Sequence, residues 1–119
     1  MCLSKVWKVY QNPSRAEVAA WGIFKIRRGR VLFQYQKLHR RRSVPRRRWL
    51  QAQGRGSLRS ALGIGIRYPF GFHKYVSRVA AQARALSGET VLPVRLRNLV
   101  AIGKQSNRKV YVAKEMFVP

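Results

Sequence analysis

Acidic residues are almost missing from this chain: three glutamates, Glu17, Glu89 and Glu115, and no aspartate occur among 119 residues. Lysine and arginine number 26, which leaves a formal net charge of +23. Self-repulsion of that size opposes a compact state unless counter-charge comes from outside. The same shortage leaves little from which to build a carboxylate acid–base pair, because Glu17 has the position of a helix cap. Cysteine is limited to Cys2, which excludes an intrachain disulfide and a cysteine metal cluster and is compatible with a reducing compartment. Histidine is limited to His39 and His73. No spacing of Cys, His and acid resembles a zinc motif, and the histidines form no arguable dyad with Cys2. Two glycine motifs also fall short. Gly103-Lys104-Gln105-Ser106 lacks the upstream glycine of a phosphate loop, with Asn98 in its place, and Gly63-x-Gly65 is followed by Tyr68 where a dinucleotide fingerprint has its third glycine. The residues argue against an enzyme, a cofactor, a metal site or a small-molecule substrate.

Long apolar runs are lacking too. The first thirty residues have no uninterrupted apolar core of the kind a secretory signal needs. No stretch approaches the ~20 apolar residues of a membrane span, and Val91 to Ile102 is broken by Arg95 and Arg97. The expectation is therefore no membrane partner.

What is present is apolar matter and arginine. Hydrophobic residues are 46% and aromatics 11% of the chain, enough to offset the chain entropy of a small core. A small core with basic surface and arms satisfies both facts. In this respect the chain resembles ribosomal proteins as a class, and the resemblance is one of composition.

Lys5 to Tyr10 reads as a strand. Ser14-Arg15-Ala16-Glu17 has capping-box spacing, so a helix is expected over Arg15 to Arg27, stopped by Gly29 behind Arg27 and Arg28. Val31 to Leu38 alternates as a strand. Pro45, Gly54 and Gly56 mark residues 39–57 as a loop or arm, long enough to be functional or disordered. Leu58 to Ile66 reads as a strand. Phe72, Val76, Val79, Ala83 and Leu86 form a helical stripe closed by Gly88. Val91 to Arg97 and Leu99 to Ile102 read as strand, with Val110 to Ala113 as hairpin partner. The order implies an α+β domain over residues 1–119: a small antiparallel sheet with two helices, in the element order of the split βαβ (ferredoxin-like) domain, and a basic extended arm.

The arm carries the clearest chemistry. Lys37, Arg40, Arg41, Arg42, Arg46, Arg47 and Arg48 occur with no acid among them. The guanidinium fork grips phosphate oxygens bidentately, and Ser43-Val44-Pro45 favours an extended backbone between the two triplets. Trp49 is placed to stack on an unpaired base. A solvated charge run or localisation signal is the plain alternative. Arg55, Arg59 and Arg67 continue the basic surface. Arg95 and Arg97 share one face of a strand, and Lys104, Arg108 and Lys109 make a basic hairpin loop. Phe70-Gly71-Phe72-His73-Lys74-Tyr75 resembles part of the octapeptide of RNA-recognition-motif domains, whose aromatics stack on bases. Pro69, Tyr68 and His73 depart from it, and core packing around a proline turn is the better reading.

The reading that follows is a structural ribosomal protein whose partners are rRNA and neighbouring ribosomal proteins. The alternative is a free-standing RNA- or DNA-binding module. Arginine outnumbers lysine 18 to 8 and the first thirty residues are basic, which leans the location towards a mitochondrial ribosome.

Overall fold

The computed structural model describes residues 2–3, 5–14, 16–32, 43–52, 59–61, 65–67, 71–105 and 107–119, with side chains described for 16–32, 43–52, 71–105 and 107–119. Among these residues the strands are β1 (Cys2–Leu3), β2 (Lys5–Ser14), β3 (Val18–Arg27), β4 (Arg30–Leu32), β5 (Trp49–Gln51), β6 (Arg59–Ala61), β7 (Gly65–Arg67), β8 (Phe72–Tyr75), β9 (Glu89–Gln105) and β10 (Arg108–Phe117). A single helix, α1 (Arg78–Arg84), is found among them. The architecture is antiparallel β. A small sheet runs β1-β7-β6, and a larger one runs β2-β9-β10-β8-β3-β4, with β5 on the free edge of β10 beside β8.

The strand β9 organises the larger sheet. Its first half, Glu89 to Leu96, pairs with Lys25 to Val18 of β3. Its second half, from Leu99 to Lys104, pairs with β2. The change of partner falls at Asn98, which has φ 56°. There Val112 pairs with Ala101 but Ala113 pairs with Leu99, so Val100 is the extra residue of a bulge, which bends a strand. With the Trp21–Tyr75 pairing between β3 and β8, the path β3–β9–β10–β8 returns to β3.

This arrangement overturns the two-helix α+β expectation, and β3 shows why. Residues 18–27 are strand where a helix was expected. Ala20 and Phe24 pack into one core cluster with Phe72, Val94, Leu96 and Met116. Their neighbours Trp21 and Ile23 pack into a second cluster with Tyr75, Ala80, Val110 and Val112. A strand covered on both faces is apolar all round, and periodicity cannot tell it from a buried helix.

The second helix is shortened for a different reason. Phe72 to Tyr75 is a strand with all four side chains buried, held between β10 and β3. Ser77 is extended, at φ −119° and ψ 149°, and its Oγ accepts the Ala80 N–H at 3.1 Å. That capping contact starts the helix at Arg78. The expected stripe does not face the core: Val79 is 70% and Leu86 62% exposed, while Ala80 and Ala81 are buried.

The extended arm also changes. Within residues 39–57, the described stretch 43–52 lies on the sheet. Ser43 forms an isolated bridge with Leu32, the Val44 N–H donates to Val31 O at 2.8 Å, and Val44 joins the first core cluster with Val118. Trp49 to Gln51 then pairs with Phe117 to Glu115. The apolar residues Val44, Leu50 and Ala52 anchor a segment that its arginines alone would hold in solvent. Residues 33–38 of the expected Val31 to Leu38 strand lie outside the described residues.

Candidate nucleic-acid interface

Arg46, Arg47 and Arg48 are exposed on a backbone that is tied down. The Arg47 N–H donates to Val118 O at 2.8 Å, and Arg47 itself is left-handed at φ 62°. Arg46 Nε donates to Pro119 O at 2.7 Å. The bend presents the guanidinium groups of Arg47 and Arg48 to solvent at the edge of the sheet.

Trp49 is half-buried and engaged. The Arg97 guanidinium lies 4.0 Å from its ring centroid, and the Phe117 ring is 5.6 Å away, tilted by 51°. One face of the indole is thus occupied by an internal cation. Arg97 itself is committed: its Nε donates to Glu115 Oε2 at 2.7 Å and its Nη2 to Oε1 at 3.1 Å. Gln51 and Asn98 donate to the same carboxylate. The strand register explains the cluster, because Gln51, Glu115 and Arg97 stand in one row across β5, β10 and β9. The Arg97 hydrogen bond, aided by those from Gln51 and Asn98, holds the Glu115 carboxyl below its usual range against the opposing effect of burial. Arg95 faces Glu17 at 3.8 Å in a solvent-exposed pair, a contact of small energetic weight. The row Arg95–Arg97 is therefore a partly neutralised face.

Lys104 and Lys109 are cross-strand partners near the β9–β10 turn, with Arg108 opposite Gln105. Arg59 and Arg67 stand in register on β6 and β7. Lys37, Arg40, Arg41, Arg42 and Arg55 lie outside the described residues. The aromatic motif is used in packing: Phe72 is 0% and Tyr75 4% exposed, so neither ring offers a face to a base. His73 and Lys74 between them are buried as well. Burial, with a smaller contribution from neighbouring positive charge, pushes the His73 imidazole down to about 4. Burial alone pushes the Lys74 ammonium down to about 8, and that ammonium lies 4.9 Å from the Phe24 ring centroid.

A further basic group escapes a sequence reading. Arg28 and Gly29 have φ 52° and 73° and make the two-residue turn between β3 and β4, the pattern of a type I′ hairpin. Gly29 is thus a turn residue and no helix stop. The register Arg27↔Arg30 and Lys25↔Leu32 puts Arg27, Arg30 and Leu32 on one face of the hairpin. Together with Arg28 and Ser43 they line an open cleft of about 650 Å³. Arg-Arg-Gly-Arg between two β-rich runs is a hairpin signal, and it was hidden by assigning the arginines to a helix end.

All three carboxylates have duties elsewhere. Glu17 faces Arg95 and Glu115 holds Arg97. Glu89 Oε1 accepts the Leu86 N–H at 2.6 Å and stands in register with Lys25. Among the described residues no carboxylate pairs with Arg27, Arg28, Arg30, Arg47 or Arg48. Nor do those residues contain a group of three or more His, Cys, Asp or Glu able to hold a metal ion. No helix among them is long and apolar enough to cross a membrane. No protein-family model, no curated protein and no solved structure matches this chain.

Proposed function

We propose that this protein binds structured RNA through its arginine surface and acts as a structural component of the ribosome, holding rRNA segments together beside neighbouring ribosomal proteins. One observation carries the reading. The three glutamates are engaged at Arg95, Arg97 and the Leu86 amide, while two arginine groups, 27–30 and 47–48, have no carboxylate partner among the described residues. A phosphate backbone supplies dense external counter-charge, and neutralising it releases condensed counterions. Contacts of this kind position RNA and require little base readout, which agrees with the burial of the Phe72 and Tyr75 rings. The arginine excess and basic first thirty residues lean the location towards a mitochondrial ribosome.

The test is sedimentation of the tagged protein from its own cells, with a high-salt wash. Stoichiometric co-migration with one ribosomal subunit through the wash supports the proposal and names the RNA. A protein that stays at the top of the gradient, or leaves with modest salt, overturns the ribosomal assignment in favour of a free-standing nucleic-acid-binding module.

A further inference from the structure

We propose that the cleft beside the β3–β4 hairpin, lined by Arg27, Arg28, Arg30 and Ser43, is a discrete phosphate-binding site that seats the sugar–phosphate backbone of RNA. The inference rests on the RNA-binding reading above and names where the strand is gripped.

Three observations converge on it. The first is convergence of donors: the cross-strand register puts Arg27 and Arg30 directly opposite each other on one face, and the left-handed turn at Arg28–Gly29 brings a third arginine to the same cleft. Guanidinium forks present paired N–H donors that match phosphate oxygens, and the Ser43 hydroxyl adds another. The second is unrelieved charge. Like charges directly opposite on paired strands destabilise the pairing, and no carboxylate among the described residues is paired with these three arginines. With the chain's acids engaged elsewhere, an external anion is the remaining source of relief. The third is shape. An open cleft of about 650 Å³ suits a length of exposed backbone, and Leu32 gives it one apolar wall suited to a ribose. Leu32 and Ser43 are bridge partners, so the floor of the cleft is built on paired backbone. Arg41 and Arg42 immediately precede Ser43 in sequence, and Arg46 to Arg48 follow it. In the sequence Ser43 therefore lies between the two arginine triplets.

The experiment uses the full chain, with inorganic pyrophosphate as the small probe and an RNA stem–loop as the large one. Arginine Nε–Hε resonances are followed during the pyrophosphate titration, and RNA affinity is measured across a salt series. Four proteins are compared: wild type, a triple Arg27→Lys/Arg28→Lys/Arg30→Lys variant, the corresponding triple Gln variant, and an Arg78→Gln/Arg84→Gln/Lys114→Gln control. The control removes three exposed charges from elsewhere on the surface. Saturable shifts confined to three arginine signals of the wild type are the expected result, together with a pyrophosphate affinity, read by calorimetry, that the lysine triple weakens about tenfold although charge is kept and that the control retains. An Arg27→Gln/Arg28→Gln/Arg30→Gln variant should lower the log–log salt slope for RNA by about 2–3 units. A non-saturating response spread over all arginines, or equal losses in the cleft and control variants, overturns the site while leaving general RNA binding standing. Failure of the wild type to bind the stem–loop overturns the RNA reading and the backbone assignment with it.

Discussion

Arg97 and Glu115 form a two-point ion pair, Nε to Oε2 at 2.7 Å and Nη2 to Oε1 at 3.1 Å, and the same guanidinium covers the ring of Trp49. This relationship converts a residue of RNA-binding type into part of the scaffold. It predicts a crossed result. Arg97→Gln lowers the melting temperature and leaves the salt slope of RNA binding unchanged, whereas Arg48→Gln leaves the melting temperature unchanged and reduces the slope by about one unit. Glu115→Gln removes the charge and turns one of the two accepting oxygens into a donor that faces Arg97, Gln51 and Asn98, and should cost about 1–3 kcal/mol in urea unfolding. A reduced slope for Arg97→Gln would return that residue to the RNA surface.

Acid should weaken the fold in two stages. His73 falls from the ordinary 6.5 to about 4 in the folded chain, so the unfolded state takes up a proton first as pH drops. The His73 contribution to stability is complete above about pH 6.5 and falls until about pH 4, by up to about 3 kcal/mol. Glu115 acts in the lower window. Its depressed folded value gives stability that is present above the ordinary carboxylate range and lost as pH falls through the folded pKa. Urea midpoints measured near pH 7, 5.5 and 4 should decline for the wild type. In His73→Gln the decline above pH 4.5 should largely disappear.

Alkali should do the reverse. Lys74 is pushed from 10.5 to about 8, so between those values the unfolded state holds more protons and stability rises with pH. Lys74→Met removes the buried charge and its contact with Phe24, worth about 0.5–2 kcal/mol. At neutral pH the variant should be more stable by about 1–3 kcal/mol, since a well-packed apolar side chain often improves on a buried charge. A less stable Lys74→Met, or a flat wild-type profile from pH 8 to 10, would show that the ammonium is hydrated in the folded chain.

Gly22 is fixed by its neighbours. A Cβ there would lie 2.6 Å from Phe24 Cε2 and 2.8 Å from Cζ, and the Phe24 ring is fully buried. Gly22→Ala should destabilise by about 1–3 kcal/mol through overpacking. Far-UV circular dichroism during thermal melting checks this, and an unchanged melt would mean that the ring has room to move.

Replacing Arg40, Arg41, Arg42, Arg46, Arg47 and Arg48 together with Gln should reduce the RNA salt slope by about 4–5 units if all six touch phosphate. The packed backbone of residues 43–52 predicts that the core survives, to be checked by the same urea midpoint. An unchanged slope would remove these arginines from the interface.

The hairpin of β9 and β10 was legible in sequence, because Val91 to Arg97 and Val110 to Ala113 show β-branched residues in two-residue alternation. The beginning of β2 was legible for the same reason. The strand β3 was not, since Ala20, Phe24 and Trp21, Ile23 meet different core clusters and leave no polar face to set the period. The stripe from Phe72 to Leu86 had helical spacing over a segment that changes conformation at Ser77, a step set by cross-strand pairing with β10. Arginine-rich stretches were visible, but their status was not. Arg97 and Arg48 look alike in sequence, and only the position of Glu115 on the neighbouring strand separates an internal ion pair from an outward charge. Arg27 and Arg28 read as the charged end of a helix and Gly29 as its stop, which separated them from Arg30 and concealed the hairpin that joins all three.

The long strand β9 and its partner β10 support nearly all of the larger sheet: β2 and β3 pair on β9, and β5 and β8 on β10. Lys5 finds its strand partner at Lys104, close to the other end of the sequence. During synthesis β2, β5 and most of β3 and β8 lack their strand partners until residues 89–117 emerge. Such long-range pairing slows folding and prolongs the exposure of unpaired strands. A nascent polycation in that state meets polyanions before it meets its own C-terminal hairpin. A truncation that removes β10 would therefore deprive the molecule of its template, and the rest of the sheet with it.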